Sequence, residues 1–317
     1  MVTYEGKVLI DVQRLRVLRS VAEHGSFNRA AAALRLTPSA VSQHIAALER
    51  SLGAPVVNRS TRGVTLTQAG RIMVGAAESV AAELAHAARE IDRLGTSRSR
   101  LTIATFTSGG QHLLPGALTR LTAAHPGTVL HVKEVEPEDS LPLLRQGAVD
   151  LALAYHFDGP LPGLHGPGPD VEWIPLMEDP LHVVLPGTHP LAGRPTVSLA
   201  ELADEPWVLG CLKTEAYLRR YAEHAGFSPD VRGSTTDYFF ARSLVAAGVG
   251  LSLIPTVALT PALPGVRAVP LDAPTPARHI GAAVLRRPCR PEVSTLIEGL
   301  RQDAGVAAGP VRVTPAR

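Results

Sequence analysis

Apolar residues at the start of the chain recur at helical intervals. Leu15, Leu18 and Val21 are spaced by three, which predicts a first helix. Ser26 is expected to follow the end of that helix and to cap a second, short helix over residues 27–35. The two segments predict closely packed helices at the N-terminus.

A third helix is predicted from Pro38 to Leu52, with Thr37 as its N-cap, because proline at the first helical position loses no hydrogen bond. One side of this helix is apolar, formed by Val41, Ile45 and Leu48. The opposite side is small and polar, formed by Ser39, Gln43, Ala46 and Arg50, with Ser42 on its flank. Such a side fits the major groove of DNA, where a Gln amide can form two hydrogen bonds with adenine. A merely solvated side usually carries Glu and Lys, and the middle of this helix carries neither.

Two short apolar runs follow the third helix. Residues 56–59 and 64–66 have strand-like patterns, and residues 60–63 between them are typical of a turn. Arg59 and Arg62 lie at the tip of this predicted hairpin, where their charge suits contact with phosphates or the minor groove. The helices and the hairpin together predict a winged helix-turn-helix.

A long amphipathic helix is predicted from Thr67, its N-cap, to Leu94. Apolar residues spaced alternately by three and four form a heptad seam along it, namely Val74, Ala77, Ala81, Leu84, Ala88 and Ile91. A second apolar line gives the helix another surface to bury. We therefore expect it to pair with the same helix of a second copy. An ordinary helix packed within its own domain is the alternative.

After residue 100, short apolar segments alternate with helical ones, which favours a parallel α/β sheet with crossover helices. Strands are predicted at residues 101–105, 129–135, 149–154, 181–185, 206–209, 231–234, 250–254 and 278–285. Helices are predicted at residues 109–124, 140–146, 215–225, 238–247 and 291–302. The remaining expectations are a hinge at 95–100, a loop at 159–169 and a mobile tail at 306–317.

Charge is unevenly distributed along the chain. The formal charge is +2 overall, but residues 1–71 hold ten Lys and Arg against four Asp and Glu, so they carry +6 and the remainder carries −4. Basic clusters bind polyanions by releasing condensed counterions. The asymmetry therefore favours contact between the N-terminal segment and nucleic acid, with chance asymmetry as the alternative.

The two cysteines, Cys211 and Cys289, are too few and too far apart in sequence for a disulfide framework or a cysteine-based zinc site. Charged residues within 1–14 occupy the place of a signal peptide's apolar core, so a cytoplasmic protein is expected. Residues 243–266 are uncharged but contain three prolines, and are predicted to be buried strand and loop rather than a membrane span. No metal or cofactor is expected.

Several segments resemble LysR-type transcriptional regulators. The N-terminal ones are residues 27–34 (FNRAAAAL), 37–49 (TPSAVSQHIAALE), 52–53 (LG), Arg59 and residues 66–70 (LTQAG). In the body, residues 189–192 (HPLA) and 244–255 (LVAAGVGLSLIP) resemble the effector domain of the same family. The sequence departs from the family pattern at residues 56–58 and Gln68. The match covers nearly the whole chain.

The resemblance implies an α/β protein with an added, mainly helical DNA-binding head. The expected parts are a winged helix-turn-helix domain (1–66), a linker helix for dimerisation (67–94), and an effector domain (101–305). The effector domain would resemble periplasmic binding proteins, with one α/β subdomain at 101–178 plus 276–305 and a second at 179–275. Such regulators generally form homotetramers and bind promoter DNA, and RNA polymerase is a further expected partner.

The resemblance also implies a set of DNA contacts. The side chains expected to face the groove are Ser39, Ser42 and Gln43. Those expected at the backbone or the groove edges are Ser26, Asn28, Thr37, Pro38, Arg59 and Arg62.

Proteins with two α/β lobes bind ligands between the lobes, beyond the carboxyl ends of the strands. The candidate effector residues at these positions are Thr107, Ser108, Glu136, Tyr155, Cys211, Lys213, Thr236 and Asp237. Ser108 and Lys213 suit a carboxylate. Glu136 and Asp237 suit an ammonium group, which would make the effector an amino acid. The alternatives are helix caps at Thr107 or Ser108, and caps or solvated loop ends at the two acidic residues.

Other classes of protein fit less well. The chain has no G-x-S-x-G, Walker, G-x-G-x-x-G or H-E-x-x-H motif, so an enzyme is not expected. An oxyanion-binding module would be a small β-barrel, whereas this body alternates strands with helices. A redox sensor would require Cys211 and Cys289 to approach each other, which sequence does not show. The sequence predicts a non-enzymatic, ligand-responsive DNA-binding regulator.

Overall fold

The structure is a computed structural model that describes residues 10–60, 63–94, 99–157, 170–211, 214–273 and 275–307. The chain divides into two compact units. The N-terminal unit includes the long helix, and the second unit is the strand-rich body. Across these residues, no helix is both long enough and apolar enough to span a membrane.

The N-terminal unit is a winged helix-turn-helix, as predicted. Its elements are α1 (Val12–His24), α2 (Phe27–Leu34), α3 (Pro38–Leu52), β1 (Val57–Ser60), β2 (Gly63–Leu66) and α4 (Gln68–Leu94). The strands pair antiparallel and form the wing. The apolar side of α3 is fully buried and packs with Val17 and Leu18 of α1. The 3–4 spacing of apolar residues therefore marked the core correctly.

Polar caps fix the ends of these helices. The Thr37 hydroxyl accepts a hydrogen bond from the Ala40 amide (3.2 Å), and the Thr67 hydroxyl accepts one from the Gly70 amide (3.0 Å). Ser26 occupies the N-cap position of α2 but its side chain forms no cap bond, so that part of the prediction is wrong. The backbone there is extended, and its hydroxyl does not reach the amides of the first turn.

The predicted seam of α4 differs in burial along its length. Ala77 is buried within the single chain and Val74 packs on the N-terminal core. This first part of the predicted dimer seam therefore packs within its own chain. Ala77 has no exposed surface that could contact a partner. Further along, Leu84 and Ile91 are 55% and 67% exposed.

Among the described residues, the body contains nine β-strands and six α-helices. In order they are β3 (Arg100–Thr105), α5 (Thr107–His112), α6 (Leu114–Ala124), β4 (Val129–Glu134), α7 (Pro137–Arg145), β5 (Leu151–His156), β6 (Val171–Pro186) and β7 (Pro206–Leu209). Then come α8 (Thr214–His224), β8 (Asp230–Ser234), α9 (Tyr238–Ala246), β9 (Ser252–Pro255), β10 (Val266–Pro270), β11 (Ala277–Leu285) and α10 (Pro291–Ala307).

The main sheet has the order β10-β6-β11-β5-β3-β4, with β9 also paired to β6. Strand β3 is parallel to β4 and β5, and β7 is parallel to β8 in a separate pair. Strands β6 and β11 are antiparallel to their neighbours, so the expectation of a parallel sheet is wrong for them. The sheet is mixed because two long strands connect the halves of the body.

Strand β6 spans two lobes. Its first part pairs with β11 beside β5, β3 and β4, and these strands form the first lobe with α5, α6, α7 and α10. Its last part pairs with β9 and β10, which form the second lobe with β7, β8, α8 and α9. Strand β6 passes from the first lobe to the second near Leu181, whose amide donates a hydrogen bond to the Pro276 carbonyl (2.7 Å).

Several predicted boundaries differ from the structure. The single helix expected at 109–124 is two helices, because the chain bends at Leu113 and Pro115 lies in the first turn of α6. Helix α10 continues to Ala307, two residues into the predicted tail. Strand β10 and the first half of β6 were not predicted. The predicted loop at 159–169 and residues 95–98 of the predicted hinge lie outside the described residues.

Candidate DNA interface and effector cavity

Helix α3 presents a small polar surface to solvent. Ser39 and Gln43 are exposed, Ser42 is half-buried, and Val41 and Ile45 are buried on the opposite side. The helix therefore offers short side chains and one amide on a side free of its own core. This is the surface that a recognition helix needs to approach base edges.

Further candidate DNA contacts surround α3. Thr37, Pro38 and Asn28 are exposed and Ser26 is half-buried. The Thr37 hydroxyl, which also caps α3, lies 2.9 Å from the Ser39 hydroxyl. The cap thus fixes the start of the exposed polar surface.

Arg59 of the wing is held against the helices. Its two terminal nitrogens, Nη1 and Nη2, each lie 3.4 Å from the Ser42 hydroxyl oxygen. Its guanidinium lies over the Phe27 ring, 4.4 Å from the ring centre. The structure thus brings Arg59 and Ser42 together, while Arg62 lies outside the described residues.

A cavity in the body collects most of the predicted effector residues. About 350 Å³ of space between atoms, partly open to solvent, is lined by Phe106, Thr107, Ser108, Glu136, Tyr155, Cys211, Thr236, Asp237, Tyr238, Phe239, Ala258 and Arg278. Seven of the eight candidates are in this lining, and Lys213 lies outside the described residues. The rule that ligands bind beyond the carboxyl ends of strands therefore located the cavity.

Arg278 is a cavity residue that the sequence analysis missed. Its side chain is 1% exposed and forms an ion pair with Asp179, from Nε to Oδ2 over 2.8 Å. Its Nη2 donates to the Ser108 hydroxyl over 2.9 Å. Three rings surround the guanidinium at 4.9–5.8 Å, those of Phe106, Tyr155 and Tyr238.

The environment of Arg278 keeps it charged. Burial alone would lower the pKa of the guanidinium, but the Asp179 carboxylate beside it raises that pKa overall. Within the described chain, Nη1 forms no hydrogen bond, since the two bonds of Arg278 use Nε and Nη2. An arginine edge is therefore available to an acceptor in the cavity. The signal in the sequence was a single Arg in strand β11, whose other residues are apolar apart from His279.

Tyr155 connects two other lining residues. Its hydroxyl donates to Glu136 Oε2 (3.2 Å) and lies 3.9 Å from Cys211 Sγ. Burial raises the pKa of Tyr155 far above its ordinary value, so the phenol remains a proton donor. Cys211 is buried at 7% exposure. The cavity thus has an acidic group, a phenol and a thiol on adjoining walls.

Helix caps were the alternative roles for Thr107, Ser108 and Asp237. Asp237 caps α9 by accepting from the Phe239 amide (2.9 Å), as the alternative for this residue held. The caps considered at Thr107 and Ser108 are wrong, because Phe106 occupies the N-cap position of α5 and no side chain caps it. Thr107 instead donates to Glu134 (2.6 Å).

An aromatic contact joins the two lobes beside the cavity. The ring of Phe157, which follows β5, stacks on that of Tyr217 in α8, with 4.1 Å between centres. The Tyr217 hydroxyl donates to the Ala277 carbonyl (3.3 Å) at the start of β11. Phe157 also contacts Tyr155 at 5.7 Å, which links this contact to the cavity wall.

A DNA-binding head and a cavity between two lobes define a class of proteins, the ligand-responsive transcription regulators. Residues 12–71 match the model for bacterial regulatory helix-turn-helix proteins of the LysR family, and residues 95–305 match the LysR substrate binding domain. The chain belongs to the LysR family and is a DNA-binding transcriptional regulator, not an enzyme.

Relatives with peroxide-related names are among those found. A probable hydrogen peroxide-inducible genes activator of Mycobacterium avium is 33% identical over 84% of this chain and 85% of that protein. The transcriptional dual regulator OxyR of Escherichia coli K12 is 28% identical over 92% and 95%. The structure of an OxyR C206 mutant from Corynebacterium glutamicum is 25% identical, with a TM-score of 0.57 over 94% of this chain and 92% of that one.

Proposed function

We propose that this regulator binds promoter DNA through α3 and the wing, and that a small carboxylate-bearing effector in the cavity controls it. The observation that carries the effector class is the Nη1 edge of Arg278, to which no described residue hydrogen-bonds and which suits an anionic acceptor beside the Ser108 hydroxyl. Charge-assisted bonds from arginine to carboxylate are among the strongest polar contacts in proteins. Arg278 takes the role that the sequence analysis gave to Lys213.

An amino acid is the carboxylate that suits the cavity best. Asp179 already balances the charge of Arg278, and Glu136 and Asp237 add two acidic groups to the lining. A zwitterion would bring a carboxylate to Arg278 and an ammonium group to the acidic side while adding no net charge to the cavity. Asp237 accepts the Phe239 amide through Oδ1, so it would act through its second oxygen.

The proposed response is a shift between lobe arrangements. An effector that binds one arrangement more tightly increases its population, and this changes how the DNA-binding heads of the oligomer are presented. Dimerisation through α4 by Leu84, Ala88 and Ile91 fits the exposure of Leu84 and Ile91. Assembly to a homotetramer, contact with RNA polymerase, a cytoplasmic location and the domain limits given above belong to the same proposal.

A thermal-shift experiment on the full-length protein tests the effector class. The panel contains amino acids, their amides, which lack the carboxylate, and their N-acetyl derivatives, which lack the ammonium charge. A ligand of the folded state raises the melting temperature. We expect shifts from one or a few free amino acids, smaller shifts from their acetyl derivatives and none from their amides. Equal shifts from the amides would contradict the role of Arg278.

Two variants localise the binding. Ser108→Ala removes the hydroxyl that Arg278 contacts, and Glu136→Gln removes one acidic charge. We expect both to reduce the ligand-induced shift. Ser243→Ala is the matched control, because the Ser243 hydroxyl is exposed and bonds only within α9. A shift that is unchanged in Ser108→Ala would place the ligand elsewhere.

Oxidant sensing at Cys211 is the second candidate function. It is favoured by the place of the Cys211 thiol in the cavity lining and by relatives named as hydrogen peroxide-inducible genes activators. Hydrogen peroxide would transfer one oxygen atom to the sulfur, giving a sulfenic acid, and leave as water. Cys289 lies four residues beyond the end of β11, and the strand from Arg278 in the cavity to Leu285 spans about 23 Å at about 3.3 Å per residue. A disulfide between the two cysteines is therefore not expected.

Mass spectrometry tests the second candidate directly. The wild type, Cys211→Ser and Cys289→Ser are treated with hydrogen peroxide and then with dimedone, which labels sulfenic acids. Oxidant sensing predicts a label that Cys211→Ser loses and Cys289→Ser keeps, together with altered promoter binding. Labelling without any change in promoter binding would leave the amino-acid proposal as the single account.

A further inference from the structure

We propose that Phe27 is a positioning residue for DNA recognition: the face of its ring holds the Arg59 guanidinium beside the Ser42 hydroxyl, ready for contact with DNA. This inference rests on the proposed DNA interface, and it adds a residue that is outside that interface itself. Three separate parts of the head, α2, α3 and the wing, meet at these three side chains.

The Phe27 side chain contacts the apolar core of the N-terminal unit and the guanidinium of Arg59. It is the first residue of α2, half-buried, and packs against the apolar core of the N-terminal unit. The guanidinium of Arg59 lies over the ring, with Cζ 4.4 Å from the ring centre. This is well within the distance at which a cation is attracted by the electron-rich face of an aromatic ring. The ring is therefore fixed by the core on one side and available to a cation on another.

Arg59 needs such a support because nothing else in the described structure restrains it strongly. It is exposed, and its only hydrogen bonds, to Ser42, are long at 3.4 Å. It forms no ion pair with any carboxylate of the described residues. Its positive charge is consequently uncompensated, which suits a phosphate or a groove edge. A flexible arginine loses side-chain entropy when it binds, and a ring that orders it beforehand reduces that loss.

A guanidinium is suited to this arrangement. It is planar and weakly hydrated, so one face can stack on a ring while its N–H groups remain in the plane for hydrogen bonds. Stacking on Phe27 therefore leaves the donors of Arg59 directed sideways, toward Ser42 and toward DNA. We infer that Ser42 and Arg59 act as one unit whose orientation is set by Phe27.

A double-mutant cycle in DNA binding tests this inference. The four proteins are wild type, Phe27→Leu, Arg59→Ala and the double variant, each titrated against a promoter fragment obtained by in vitro selection. Leu keeps the apolar contact with the core but has no ring face. We expect Phe27→Leu to weaken binding by about two- to fivefold, the size of an exposed cation–ring contact. In the Arg59→Ala background the same change should have no further effect.

Two additional variants separate positioning from stability. Phe27→Tyr retains the ring face and should bind DNA as the wild type does. Phe27→Met replaces Leu if that variant does not fold. Salt titrations add a second readout: Arg59→Ala should reduce the slope of log affinity against log salt by about one phosphate contact, whereas Phe27→Leu should keep the slope, because the charge is still present.

The possible outcomes distinguish this inference from the interface on which it rests. If Arg59→Ala does not weaken DNA binding, the proposed contact of Arg59 with DNA is wrong. If Arg59→Ala weakens binding but Phe27→Leu has the same effect with and without Arg59, the interface stands and the positioning role of Phe27 is wrong. If Phe27→Tyr binds as weakly as Phe27→Leu, the ring face is likewise not responsible.

Discussion

The guanidinium of Arg278 donates a hydrogen bond to the hydroxyl of Ser108 over 2.9 Å, although 170 residues separate them in the chain. The contact joins β11 to α5 at the wall of the cavity. Because Asp179 of β6 holds the same guanidinium, three elements of the body converge on one buried charge. The cavity therefore has a fixed cation whose position depends on the fold of the whole body.

Removing Arg278 alone should destabilise the body. Arg278→Met leaves Asp179, which is fully buried, without its counter-charge, and breaking a buried pair in this way costs about 3–5 kcal/mol. Chemical denaturation followed by circular dichroism measures the loss. Adding Asp179→Asn should recover most of the stability, because no unpaired charge then remains. A single variant as stable as wild type would contradict the buried ion pair.

Gln43→Ala should reduce sequence-specific DNA binding. The amide of Gln43 is exposed and is proposed to form two hydrogen bonds with a base, and losing such a contact costs about 1–3 kcal/mol. Fluorescence anisotropy with a selected promoter fragment and with random DNA measures both affinities. Random DNA should bind the variant as it binds wild type. An equal loss on both DNAs would show that Gln43 does not read bases.

Ile91→Asp should weaken dimerisation. Ile91 lies on the predicted seam of α4 and is 67% exposed in the single chain. A charge within an apolar helix pair is strongly unfavourable because it loses hydration. Ile72→Asp is the matched control, since Ile72 is 66% exposed on the same helix but off the seam. Analytical ultracentrifugation should show dissociation of Ile91→Asp at concentrations where Ile72→Asp remains associated; identical behaviour would remove the seam from the interface.

Phe157→Leu should loosen the contact between the lobes. The variant removes the stack on Tyr217 but keeps an apolar side chain. Hydrogen exchange should become faster in α8 and stay unchanged in α10. Tyr217→Phe retains the stack and loses the hydroxyl's contacts with the Ala277 carbonyl and the Tyr221 hydroxyl, each worth about 1 kcal/mol, so its effect on the contact between the lobes should be smaller. Unchanged exchange in α8 of Phe157→Leu would show that the stack does not hold the lobes.

The sequence predicted the N-terminal unit well because its signals are local. The spacing of Val41, Ile45 and Leu48 gave the buried side of α3, and Thr37 with Pro38 gave its start. Most of the cavity lining was also predictable, since the ends of parallel strands are set by the order of strands and helices. These features depend on neighbours within a few residues or on a general rule of topology.

Long-range features could not be predicted in the same way. Strand β6 was recognised only in its second half, because Pro175 and Pro180 interrupt its apolar pattern, yet β11 pairs along it. Arg278 was missed because its partner Asp179 is 99 residues away in sequence, and the lone charge in β11 does not by itself indicate a partner. The charge that defines the cavity is therefore a product of tertiary structure.

The most direct test of this account measures promoter bending as an effector is added. A promoter fragment carries a fluorescent donor and acceptor at its ends, and energy transfer is recorded against the concentration of the amino acid that raises the melting temperature most. The account predicts a saturable change with wild type, and a midpoint about five- to tenfold higher with Ser108→Ala, since one hydrogen bond beside the bound carboxylate is lost. No change in energy transfer at saturating ligand, or the same midpoint in both proteins, would contradict it.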